Sequence, residues 1–126
     1  MPPSRILSPL YILNAALLIT HEIDSAYWEE WDLFGIPGGI QVFLVLNFLL
    51  VLVLLIGQTK VTSGQPAGRI YALISAAGGV FAFTIHTYFL TTGRPEFNLP
   101  VSIGLLVVTL FVSLALGWVV VGKKGD

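Results

Sequence analysis

The chain contains no cysteine and, in 126 residues, only six Lys or Arg and seven Asp or Glu. The first absence removes disulfides, thiolate metal sites, iron–sulfur clusters and thiol catalysis together. The second bears on the solvent. Ordinary soluble domains carry roughly 25% charged residues, whereas this chain has 10%, against 56% hydrophobic. So few charges cannot cover an apolar core in water, and lipid is the medium that suits such a surface. Positive charge is also too sparse to neutralise a row of phosphates, which argues against nucleic acid as a partner. Neither an HExxH signature nor a phosphate-binding glycine pattern occurs, and Gly38–Gly39 after Pro37 reads as a turn.

What is present is four long apolar runs, near 9–27, 39–56, 67–90 and 100–121, each close to the roughly 20 residues that cross a bilayer. The runs are continuous, unlike the short alternating segments of barrel strands, so the expected fold is all-α. Residues 1–126 are expected to form one membrane domain, a four-transmembrane-helix bundle. Ser8 and Pro9 suit a helix cap and a first helical position, and Gly57 suits a helix end. Past Gln41 in its first turn, the second run holds a single polar residue, Asn47, which rules out a surface helix in water. The first run is expected to be retained rather than cleaved. Its leader-like start, MPPSR, has one charge, and Asp24 stands where a cleavage site wants a small neutral residue.

With four crossings, Arg5, Lys60, Arg69, Lys123 and Lys124 share one side and Arg94 alone lies on the other. The positive-inside rule then places both termini in the cytoplasm and the protein in the inner (plasma) membrane. Five of the seven acidic residues fall between Glu22 and Asp32, at the outer boundary. There, YWEEWDLFGIPGG spaces aromatics at 27, 28, 31 and 34 with acids between them. That pattern predicts a short amphipathic helix lying in the interface, ended by Gly35 and Pro37. Tyr27, Trp28, Trp31, Tyr88 and Trp118 fit an aromatic belt.

Lipid tails give helices no hydrophobic reason to associate, so small residues mark the expected contacts. Ala72, Ser75, Ala76, Gly78, Gly79 and Ala82 supply one such face, and Thr109, Ser113 and Gly117 another. The second run lacks small residues in its middle and is expected to be the most lipid-exposed. Asn14 and Asn47 lie midway along their runs and are expected to hydrogen-bond each other, or to line a polar path.

Asn14, His21, Asp24, Ser25 and Trp28 share a stripe at helical spacing, with Glu22 projecting to one side. His86 lies on the small-residue stripe of the third run. His21 and His86, the only two histidines, follow Arg5 and Arg69 at the same depth, about 25 Å along parallel helices. They are therefore expected side by side near the outer leaflet. Imidazole and carboxylate converging from two helices suit a divalent transition metal, with His21, Asp24, His86 and Glu22 as candidate ligands. Glu29 or Glu30 is available to complete a shell, and haem ligation by the imidazoles is the less favoured cofactor. The same histidines with Glu22 are candidate catalytic groups for acid–base chemistry on a lipid-soluble substrate. The leading expectation is a small membrane binding or accessory protein with a polar site near its outer face. A purely structural subunit of a larger membrane complex is the third class. Expected partners are the bilayer, with a lipidic ligand or another membrane protein.

The string HEIDSAYWEEWDLFGIPGGIQVFLVLN, followed by a later His in a third apolar segment, resembles a group of small bacterial membrane proteins of unknown function. That resemblance covers most of the chain and implies a compact four-span bundle, with no established activity to carry over. In architecture alone the chain is also similar to the sterol-isomerase and sigma-2-receptor-like superfamily, and no residue transfers from it.

Overall fold

The computed structural model describes residues 5–122. Lys123 and Lys124, which enter the orientation argument, lie outside the described residues, as do residues 1–4. The chain forms α1 (Leu7–Tyr27), α2 (Glu30–Leu33), α3 (Gly39–Thr62), α4 (Ala67–Thr91) and α5 (Pro100–Gly122), with no strand among the described residues. The helices α3, α4 and α5 are each long and apolar enough to cross a membrane. The first helix has 21 residues but carries His21, Glu22 and Asp24 in its last two turns.

Two buried clusters set the topology. Tyr11, Val61, Ala72, Ala76, Leu116 and Val120 join the start of α1, the end of α3, the start of α4 and the end of α5. Leu33, Ala82, Phe97 and Leu106 close the opposite end. The four long helices therefore alternate in direction, and α1 and α4 run parallel. These two form an inner pair, flanked by α3 on one side and α5 on the other. At the first end, Arg69 donates from Nη2 to the Val120 carbonyl at 2.7 Å, a cation on the last, otherwise unpaired carbonyls of α5.

The outward surfaces are apolar. Only 6% of the α3 window is buried, against 28% for α4 and for α5, so the second run does present the most side-chain surface outward. Exposed hydroxyls do not contradict this. Thr20 and Thr84 each donate back to the carbonyl one turn earlier, at 2.8 Å, which satisfies them without water. Tyr27, Tyr88 and Trp118 are exposed near helix ends, as a belt requires, while Trp28 and Trp31 turn partly inward.

Three local expectations are corrected. The first helix starts at Leu7, so Ser8 sits inside it and does not cap it. The acidic segment between α1 and α3, expected as a short interfacial helix, forms a single helical turn, because Glu29 adopts a left-handed conformation (φ 52°) and breaks the run. Gly57 does not end α3, which continues to Thr62. Its missing side chain serves packing instead. A Cβ there would collide with the Tyr11 hydroxyl and approach Tyr71 Cβ at 2.9 Å, while that hydroxyl donates to the Leu54 carbonyl at 2.8 Å. Gly57→Ala is expected to lower the unfolding free energy in detergent by about 1–3 kcal/mol, the usual cost of overpacking. Unchanged stability would mean that Tyr11 can swing aside.

Candidate functional site

The two histidines reach each other because small residues let α1 and α4 approach. On α1 the buried stripe is Tyr11, Asn14, Leu18, His21 and Ser25. On α4 it runs Ala72, Ser75, Ala76, Gly79, Ala82 and His86. The imidazoles stand edge to face with centroids 4.8 Å apart, and they are 2% and 1% exposed. Both lie at the α2 end of the molecule.

The left-handed turn at Glu29 redirects the chain so that Glu30 points back at this pair. His86 Nε2 lies 3.4 Å from Glu30 Oε1, within ion-pair range but without hydrogen-bond alignment, since that nitrogen counts as unpartnered. Burial works against a charge on Glu30. His86 and Ser25 beside the carboxyl, with the positive charge that either imidazole carries when protonated, outweigh burial and hold the group below the usual carboxylate range. From the other side Phe97, 0% exposed, covers His86 at a centroid distance of 4.0 Å and His21 at 5.5 Å. Phe97 also has a left-handed backbone (φ 66°). Nearby Arg94 pairs in a fork with Glu96, at 2.9 and 3.2 Å, and with no acid of the α1–α3 loop.

His21, Glu30 and His86 each offer one ligand atom, and no two of those atoms are more than 4.8 Å apart. Two bonds from one metal ion span at most about 4.2 Å, so the widest pair closes by a small side-chain rotation. Four atoms here, His21 Nδ1, His86 Nδ1, His86 Nε2 and Glu30 Oε2, are buried without a hydrogen-bond partner. Buried polar atoms are seldom left so, because each costs about 1–3 kcal/mol. Two imidazoles and a carboxylate are also the right donors for a divalent transition metal. The cluster can hold one.

The other sequence candidates go elsewhere. Asp24 stays outside the converging atoms: its Oδ1 accepts from Trp28 Nε1 at 3.1 Å, one turn on. Glu22 faces α3, beside the Asn47 amide. Asn14 does not pair with Asn47. Its Nδ2 donates to Ser75 Oγ and its Oδ1 accepts from Ser113 Oγ, each at 2.8 Å, whereas Asn47 donates to its own helix at the Phe43 carbonyl. The reason is placement, since Asn14 meets α4 and α5, whereas the contact of this stripe with α3 is made by Tyr11 at the Leu54 carbonyl. Phe97 is the residue that the sequence did not single out. An isolated Phe within the polar stretch GRPEFN was its one signal.

A cavity of about 190 Å³ adjoins the imidazoles and is also lined by Glu22, Glu30, Leu50 and Phe81. Those last four residues line a second cavity of about 310 Å³ as well, which continues to Trp31, Phe43 and Asn47. No curated protein and no solved structure matches the chain. Residues 7–123 match the model of the family of unknown function DUF6713, and the chain belongs to that family.

Proposed function

We propose that this protein is a four-span bundle of the inner membrane that binds a divalent transition metal at His21, Glu30 and His86, just inside its outer face. The observation that carries the proposal is the set of four unpartnered, buried donor atoms on those three residues. One metal ion takes one nitrogen from each imidazole and one carboxylate oxygen, so it satisfies up to three of the four and leaves one His86 nitrogen over, whereas hydrogen bonds among the three groups offer them no common partner. Two neutral imidazoles and one carboxylate favour zinc, iron(II) or manganese over magnesium or calcium. The carboxylate supplies the negative charge that such an ion needs when withdrawn from water.

Purified wild-type protein is expected to contain one equivalent of metal, and His21→Ala and His86→Ala to contain almost none, read by elemental analysis. A metal-free wild type that takes up no added zinc, iron or manganese would overturn the site. It would leave the histidines to acid–base chemistry or to structure.

Topology is testable without background because the chain lacks cysteine. Ser63 and Thr92 are exposed residues in loops at opposite ends of α4. In intact cells an impermeant thiol reagent is expected to label Thr92→Cys and not Ser63→Cys, with both labelled after lysis. The reverse pattern would put the metal cluster at the cytoplasmic side.

A further inference from the structure

We infer that the metal cluster is reached sideways from the lipid, and that it takes an apolar chain with an oxygen head group that both ligates the ion and donates a hydrogen bond. This rests on the metal reading above and adds the class of molecule that completes the ion's shell. The two cavities meet at Glu22, Glu30, Leu50 and Phe81. One touches His21 and His86. The other runs outward between α2 and α3, past Trp31, Phe34 and Phe43. At its rim, Leu46 is 47% exposed and Phe81 62% exposed, and both lie on helices apolar enough to cross a membrane. A mouth with that rim faces acyl chains, so its occupant arrives dissolved in lipid.

Polar atoms along the route specify the head. Glu30 and Asn47 line the outer cavity, and Asn47 Oδ1, which the metal does not claim, is buried without a partner. It is an acceptor, so the head must donate. An ammonium would donate but would bring positive charge against the ion. A hydroxyl or hydroxamic acid donates to an acceptor and still offers a lone pair to the metal. The outer cavity of about 310 Å³ holds roughly ten groups the size of a water molecule, which suits a chain of medium length.

Cobalt(II), a visible stand-in for zinc, reports on this directly. Cobalt-loaded protein in detergent is titrated with acetohydroxamic acid and with octanohydroxamic acid, and the cobalt absorption band is followed. Two variants fill the route: Leu50→Trp at the junction of the cavities, and Leu46→Trp at the exposed rim, where folding is not at risk. Both acids are expected to perturb the band of the wild type. Each variant is expected to bind the octyl acid about tenfold more weakly, a change of about 1.4 kcal/mol, while binding acetohydroxamic acid unchanged. Comparing variants in one detergent cancels partition into micelles. If cobalt binds but the octyl acid is held equally by wild type and both variants, lateral access is overturned and the metal site stands. An adventitious additive only, with octanohydroxamic acid perturbing the band of Asn47→Leu as it does that of the wild type, would also overturn it. If no cobalt band forms, the metal site itself has failed and this inference falls with it.

Discussion

Glu30→Gln is expected to weaken zinc or cobalt binding by more than about 100-fold, beyond the 10–100-fold typical of residues that only orient a ligand. Gln keeps the shape of the side chain and its hydrogen-bonding capacity, so the turn at Glu29 and the approach to His86 should survive. What it removes is the anionic donor. Without it a doubly charged ion would sit between two neutral rings under Phe97, in surroundings of low dielectric where an uncompensated charge is expensive. The measurement is competition against a chromophoric chelator at fixed pH, in detergent.

Asp24→Asn and Glu22→Gln serve as the contrast and are expected to change metal affinity only a few-fold. Asp24 is engaged by Trp28 at 3.1 Å, and Glu22 faces α3 beside Asn47. The opposite pattern, with Asp24→Asn losing the ion and Glu30→Gln keeping it, would return the carboxylate to the first helix and unseat Glu30.

That contrast also marks the limit of what the residue pattern could reveal. Apolar length identified the long helices and the side-chain periodicity of α1 and α4, because both follow from local geometry alone. Depth counting placed His21 and His86 at one level, and the structure puts the rings 4.8 Å apart. Spacing along α1 favoured Asp24 as the third ligand, since residues three apart share a helix face. In the structure Glu30 groups with the two imidazoles, through a left-handed Glu29, and glutamate carries no signal for that conformation. Phe97 was hidden for the same reason. Glu29 and Phe97 are the two non-glycine residues with positive φ among the described residues; Phe97 packs on the histidines, and Glu29 immediately precedes Glu30. Strained backbone of this kind costs about 1–3 kcal/mol and persists where the surroundings enforce it. Here it aims a carboxylate and a ring at one point.

Asn14→Ala is expected to cause the largest loss of stability, about 3 kcal/mol, and to leave metal binding intact in the protein that remains folded. Asn14 is 0% exposed and joins three helices, donating to Ser75 and accepting from Ser113 at 2.8 Å each. Interhelical hydrogen bonds in membranes contribute about 0.6 to 1.7 kcal/mol apiece, and the void left by the truncated amide adds roughly 1 kcal/mol more. The junction cannot close over that void. Close contact is already in place, since a Cβ at Gly79 would collide with Ser113 Oγ. Ser75→Ala and Ser113→Ala should each cost less, because either leaves Asn14 one partner and a freed serine can bond to its own helix. Asn14 lines neither of the two cavities near the histidines, so its role is to fix the register of α1 against α4 and α5 rather than to meet a ligand. Reversible denaturation in mixed micelles gives the stability, and chelator competition on the same samples gives the metal affinity. Metal affinity falling in parallel with stability would show that this polar junction and the histidine cluster behave as one unit.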